Sequence, residues 1–365
     1  MSHAFYFVVD ERLVDIASAQ ALHVAKIWNC DVHIFVERNY PTVAVRTVDH
    51  VAVTYHIDEL SGLLPDGLPS SPIWPPIVYK RLLPPQLLSH YDRLIYLDAD
   101  VHCLEPAPEI WSIDLPSGLA AVEDFGLHFD LFREDPHPSR EEWLQATGIR
   151  SGRYFNAGVL VIEPRKWLQI DIRASLIEYF TRYPHPKYLD QDFLSWLFDG
   201  IWTELSPRFN FQASLFSLGL SKAISPVFVH FCQIEKPWFG WRTPGMTNLD
   251  EVYREIYDHL IRSVGADPAS FYRPQRVPLY RRVTLPWRRA MSRIGVPSLK
   301  ERRSRLERRR RLEIFSNYVN GRLCQGHFAD EKRRALPKVQ DELHFNGRYL
   351  VASVKPIAEA EIIPG

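Results

Sequence analysis

Apolar positions along the first half of the chain fall into short unbroken runs, alternating with stretches of helical spacing. Ala4 to Val9 (AFYFVV) is wholly apolar and reads as a buried strand. From about Arg12 to Trp28, apolar residues recur three and four apart (Leu13, Ile16, Ala17, Ala21, Val24, Ile27), which predicts a helix. DVHIFVE (31–37) returns to a strand pattern, so the chain opens with the βαβ unit of a parallel sheet. Residues 60–76, crowded with Pro, Gly and Ser, read as loop. A helix is predicted at about 78–90, a strand at 93–97 (RLIYL) and another near 118–123. RYFNAGVLVIEP (153–164) is nearly continuous in apolar residues, the mark of a central strand buried on both faces. Helical patterns follow at 165–183, 190–199 and 249–264, with a last strand at 228–231 (FVHF).

Composition sets the class. With 365 residues, 46% apolar and 24% charged, the chain is globular and long enough for one large α/β domain with appendages or for two ordinary domains. The four cysteines form no C-x-x-C pair, which points to a reducing compartment. Neither a signal peptide nor an apolar run of about 18 residues is visible, so a cytoplasmic location is expected. The net charge of zero conceals a separation: residues 280–334 carry 17 Lys/Arg against 5 Asp/Glu, and residues 1–279 carry 24 against 35. A boundary is placed near residue 275, dividing a catalytic domain (1–275) from a basic C-terminal extension (276–365).

The usual phosphate cradles are absent: the sequence has no G-x-G-x-x-G, no Walker lysine loop, and no G-x-S-x-G elbow. A phosphorylated ligand would then need a divalent cation held by carboxylates. Asp98 and Asp100 leave the strand 93–97 with i, i+2 spacing, so in extended backbone both carboxylates face one side, beyond the carboxyl end of the sheet. A bare D-x-D arises by chance, and a second one, Asp190-Gln191-Asp192, opens a predicted helix where Asp190 also suits an N-cap. His230 ends an apolar strand, six residues before Lys236, and reads equally as a packed histidine or a metal ligand.

Five blocks carry a resemblance: YKRLLPPQLLSHYDRLIYLDADV (79–101), RYFNAGVLVIEPRKW (153–167), YLDQDFLSWLF (188–198), PRFNF (207–211) and HFCQIEKPW (230–238). In order and spacing they are similar to family 8 glycosyltransferases, a group that includes bacterial lipopolysaccharide galactosyl- and glucosyltransferases and glycogenin. The resemblance implies a retaining enzyme of GT-A type, a Rossmann-like mixed α/β sheet flanked by helices, that takes a UDP-sugar donor with Mn²⁺, Mg²⁺ being the alternative. It implies Asp98, Asp100 and His230 as metal ligands, and an imidazole among oxygens favours Mn²⁺. Asp10, Ala99 and Lys236 would contact the nucleotide. Arg81, Asp124 and Asn156 would surround the donor sugar, and Asp190, Gln191 and Asp192 would stand at the reacting centre. Two places depart from the family pattern: Arg12 and Leu13 follow Asp10 where a polar residue and an aromatic are usual, and Gln233 stands where a glycine is usual.

The segment 299–314 (LKERRSRLERRRRLEI) predicts a basic helix. Its arginines suit a solvated face or an anionic membrane surface, with residues 280–314 as the contact and the inner face of the plasma membrane as the place. Nucleic acid is not expected, because the arginines lack regularly interleaved stacking aromatics. The implied acceptor is a saccharide or glycolipid such as a lipopolysaccharide core. The competing reading is a lapsed enzyme that binds nucleotide or sugar as an interaction module.

Overall fold

The computed structural model describes residues 2–37, 45–48, 51–71, 74–126, 140–216, 224–232, 236, 239–240, isolated positions from 258 to 287, 299–325, 328, 343–346 and 349–352. Its frame is a mixed eight-stranded sheet with the order β3-β4-β2-β1-β5-β8-β7-β9. The strands are β1 (His3–Val9), β2 (Asp31–Val36), β3 (Val45–Val48), β4 (Val51–Ile57), β5 (Arg93–Leu97), β6 (Val101–Cys103), β7 (Leu119–Glu123), β8 (Phe155–Ile162) and β9 (Thr203–Glu204), with β6 outside this sheet. β4, β2, β1 and β5 run parallel, whereas β8 is antiparallel to both of its neighbours, β5 and β7. Every residue of β8 is buried, as its nearly continuous apolar run requires.

From β1 the chain winds outward through helix α1 (Val14–Trp28), β2 and β4, then returns to lay β5 on the opposite side of β1. That reversal opens a crevice beyond the carboxyl ends of β1 and β5, the usual ligand position in open α/β sheets. Side-chain alternation divides the core. Phe5, Phe7 and Val9 join a cluster under α1, while Ala4 and Tyr6 join one on the other face. A three-stranded sheet of β6, β10 (Phe211–Gln212) and β11 (Phe228–His230) packs on the first face.

Several expectations need adjustment. The helix expected at 78–90 is a 3₁₀ turn (Pro76–Leu82) followed by one α turn (Pro84–Leu87), because Pro84 and Pro85 cannot donate the backbone bonds a continuous helix needs. The one expected at 165–183 is interrupted: Asp171 caps a new helix by accepting from Ala174 N–H at 2.9 Å. The resulting helices are labelled α2 (Arg140–Ala146), α3 (Ile172–Arg182), α4 (Asp190–Leu197) and α5 (Leu299–Cys324). The predicted helix at 249–264 lies outside the described residues except for Asp258 and Arg262. The last predicted strand, 228–231, is β11, whereas β3, β4 and the short strands β6, β9 and β10 carried no pattern strong enough to predict.

The arginine-rich helix is real, and its two halves differ. Arg303, Leu306, Arg309 and Arg310 are exposed, while Leu312, Phe315 and Val319 are buried in the core cluster of the main sheet. Arg322 pairs with the buried Glu204 on β9. No described helix is long and apolar enough to cross a membrane.

Candidate active site

Asp98 follows β5 directly, and Val101 N–H donates to its carbonyl at 2.9 Å, so Asp98-Ala99-Asp100 is a tight turn rather than the extended segment expected. Its two carboxylates still converge, because β6 leaves the turn antiparallel to β11 and brings His230 opposite Val101. His230 Nε2 lies 3.3 Å from Asp100 Oδ1 and 3.8 Å from Asp98 Oδ2. One ligand atom from each of Asp98, Asp100 and His230 can be chosen so that all lie within 4.8 Å of one another, the spacing of a cation site.

The surroundings of His230 were not legible in the sequence. Its Nδ1 lies 3.0 Å from Asn210 Oδ1, and Asn210 Nδ2 donates to Asn156 Oδ1 at 2.9 Å. With the Asn210 nitrogen committed to Asn156, its oxygen must accept, so Nδ1 of His230 carries a proton and Nε2 is the nitrogen that faces the carboxylates. Space for the ring comes from Gly158 on β8, where a Cβ would stand 2.2 Å from His230 Cε1. The sequence hinted at Asn210 only as an amide between Phe209 and Phe211, which once buried has to be hydrogen-bonded; the partner is set by the fold.

Both carboxylates are neutralised by cations. The Lys236 ammonium lies against Asp100 Oδ2 and donates to the Phe231 carbonyl at 2.9 Å. Burial alone would raise the Asp100 carboxyl, but Lys236 and His230 outweigh it and hold Asp100 well below the usual range. Arg81 stands between Asp98 Oδ1 (3.0 Å from its Nη1) and Asp190 Oδ2 (3.0 Å from its Nε). The Nε–H itself is spent on the Val78 carbonyl at 3.0 Å, so the contact with Asp190 is Coulombic. Burial pushes Asp190 up to about 7, against the pull of Arg81 and with further repulsion from Asp98.

The expected donor-sugar residues meet beside this cluster. Asp124 Oδ2 accepts from Asn156 Nδ2 at 3.2 Å and from Gln191 Nε2 at 3.0 Å. Gln191 Nε2 also lies 3.0 Å from the Tyr154 hydroxyl, and its Oε1 accepts from Ala157 N–H at 3.0 Å. Asp192 is not among them. It is fully buried, and its carboxylate accepts from the Tyr154 hydroxyl (2.7 Å) and from Lys187 and Tyr188 N–H (2.7 and 2.8 Å). Those bonds fix the turn before α4, where Leu189 is held at φ 47°, a strained angle for leucine, and so orient Asp190 and Gln191. Asp190 is the first residue of α4 and makes no capping bond, so the N-cap alternative fails.

Asp10 lies at the end of β1 as expected, but Arg12 holds its carboxylate, with Nε 2.9 Å from Oδ2 and the backbone N–H 3.0 Å from Oδ1. Ala99 is part-buried in the turn between the two aspartates.

Residues 18–242 match the sequence model of glycosyl transferase family 8. General stress protein A of Bacillus subtilis (strain 168) is 30% identical over 199 residues, which are 50% of this chain and 63% of that protein. Lipopolysaccharide 1,2-glucosyltransferase of Escherichia coli is 28% identical over 205 residues, 53% of this chain and 57% of that protein. The chain thus spans about three fifths of the length of these curated relatives. Among solved structures, the galactosyltransferase LgtC in complex with donor and acceptor sugar analogs aligns with a TM-score of 0.52 at 22% identity, covering 77% of this chain and all of that one (100%). At that identity the likeness speaks for the fold, which is of GT-A type. The family match, by contrast, runs from α1 through His230 and Lys236 and takes in most of the sheet and the clustered site, and on that ground the chain belongs to glycosyl transferase family 8.

Proposed function

We propose that the chain is a retaining hexosyltransferase that moves galactose or glucose from a UDP-sugar to a saccharide acceptor such as a lipopolysaccharide core or another glycolipid. The observation that carries the proposal is the convergence of Asp98, Asp100 and His230 next to the Asp124–Asn156–Gln191 cluster. Two carboxylates and an imidazole of fixed tautomer suit Mn²⁺, with Mg²⁺ the harder alternative, and a cation bound there would act as a Lewis acid on the departing diphosphate.

The remaining work falls to side chains. Breaking the anomeric C–O bond leaves negative charge on the diphosphate, and Lys236, a half-buried ammonium beside Asp100, would neutralise it. Asp124, Asn156 and Arg81 supply acceptors and donors for sugar hydroxyls beside the turn. Gln191 faces the same cluster but is an amide and a poor nucleophile, while both oxygens of Asp192 are already engaged. Retention by same-face attack follows as the mechanism, without a glycosyl ester. Mass spectrometry of enzyme quenched during turnover is expected to find no adduct on Asp192, and finding one overturns this mechanism.

The Arg12–Asp10 pair supports a narrower point. A uracil ring seeking Asp10 must compete with the guanidinium, so the nucleotide is the part of the donor most open to change. The acceptor class and the exposed arginines of α5 together support a place on an anionic membrane surface.

The test is calorimetric titration of UDP with Mn²⁺ and then with EDTA, on the parent and on Asp98→Ala. Metal-dependent binding that is lost in the variant, followed by transfer or hydrolysis of UDP-galactose or UDP-glucose, is the expected outcome. Binding of another nucleoside diphosphate but not UDP assigns a different donor. Silence with every nucleotide favours the lapsed enzyme.

A further inference from the structure

Asp124 collects both amides of the donor-sugar cluster, and the segment that carries it is held from two directions. Its own N–H donates to the Tyr154 carbonyl at 3.0 Å. On one side lies Gln212 of β10, 1% exposed, whose Nε2 donates to the Glu123 carbonyl at 2.8 Å and whose Oε1 accepts from Phe125 N–H at 2.9 Å. One side-chain amide therefore brackets the Asp124 backbone, and Gln212 stands in register with His230 on β11. On the other side lies α5. Phe125, also 1% exposed, packs edge-on against Phe315 at 4.9 Å and Tyr318 at 6.2 Å between ring centroids. Burial pushes the Tyr318 hydroxyl pKa up, with the Glu123 carboxylate adding to the rise, and that carboxylate accepts from Arg140 Nη2 at 2.9 Å. The helix is fixed in turn by the burial of Leu312, Phe315 and Val319 and by the Arg322–Glu204 pair.

We propose that the C-terminal helix is a positioning element of the active site: Phe315 and Tyr318 pack on Phe125 while Gln212 opposite brackets Glu123 and Phe125, and together they aim Asp124 at Asn156, Gln191 and the donor sugar. The inference rests on the donor-sugar reading and extends it to residues about two hundred positions further along the chain. A carboxylate on an unclamped segment samples positions an ångström or more from the productive one, and a misplacement of about 1 Å costs up to ~10²-fold in rate. With both neighbours clamped, Asp124 retains only its own side-chain torsions.

Full-length Tyr318→Leu and Phe315→Leu, each of which removes a ring packed on Phe125, are compared with the parent and with Asp124→Asn. The expected result is a fall in kcat of about tenfold or more with unchanged UDP affinity, because the nucleotide cluster is not touched. Hydrogen–deuterium exchange at the Asp124 and Phe125 amides is expected to quicken while that at Val101 stays as in the parent. Equal exchange in both variants overturns the proposal, as does quickened exchange with an unchanged kcat. A joint fall of kcat, UDP affinity and Tm also overturns it, because that is the signature of general destabilisation. If the parent turns over no nucleotide sugar, the proposed function fails by itself. Exchange then decides whether the helix holds Asp124: quickened exchange upholds the clamp and equal exchange removes it.

Discussion

His230 depends on three neighbours for three separate properties. Asn210 sets its tautomer, Gly158 makes room for the ring, and the 98–100 turn supplies the carboxylates that face Nε2. Outer partners of this kind typically change metal affinity by about 10–100-fold when removed. Asn210→Ala is expected to weaken Mn²⁺-dependent UDP binding by that factor in calorimetry while Tm shifts little. Gly158→Ala is expected to be worse, since a methyl group on a fully buried strand has to displace the imidazole. Loss of Mn²⁺-dependent binding from a folded protein is the outcome to look for, and parent-like binding would show that His230 is not a ligand. The residue types at 98, 100 and 230 were legible because metal chemistry restricts the choice. Asn210, Gly158 and Tyr154 were not, because their roles exist only in relation to groups far away in sequence.

Among the elements, the paired strands β2 and β4 carry a buried polar chain at the sheet's far side. His33 Nδ1 lies 3.0 Å from His56 Nε2, and His33 Nε2 lies 3.1 Å from the Tyr91 hydroxyl. Burial lowers the His33 pKa from 6.5 to about 4, helped by the neighbouring His56. The unfolded chain then takes up a proton that the folded chain refuses. The stabilisation is complete above about pH 6.5 and is lost as pH falls toward 4. Between pH 7 and 5 it amounts to about 2 kcal/mol. Urea titrations at the two pH values are expected to show a smaller pH dependence in His33→Gln by about that amount. A second element-scale expectation concerns α5, whose Leu312 is 6% exposed and packs in the main core. Leu312→Ala is expected to cost about 2–5 kcal/mol. A Tm equal to the parent's would mean that the helix does not dock in solution.

At the scale of the molecule, the charge separation and the two halves of α5 fit together. The body of residues 1–279 carries 24 Lys/Arg against 35 Asp/Glu, and residues 280–334 carry 17 against 5. The buried half of α5 joins the body, which leaves Arg303, Arg309 and Arg310 facing outward. Because Leu306 is the one exposed leucine among the described side chains of α5, attachment to a membrane would rest on charge more than on an apolar face. Co-sedimentation with phosphatidylserine-containing vesicles is expected at low salt and is expected to vanish by about 0.5 M salt. Absence of binding at low salt would leave α5 with its core-facing role alone.

The amino-acid sequence by itself determined the βαβ opening, the fully buried strand at 155–162 and the basic helix, and it singled out Asp98, Asp100 and His230, which the fold brings together. These rest on local periodicity or on residue chemistry, which survive without neighbours. Tertiary structure alone decided that Asp98-Ala99-Asp100 is a turn, that Asp192 faces inward, and that Arg12 occupies Asp10. It also decided that half of a strongly charged helix belongs to the core behind Asp124. Hydrogen bonds and packing contacts between distant segments are made by pairs of residues, and neither member of such a pair records in its own neighbourhood where the other will be.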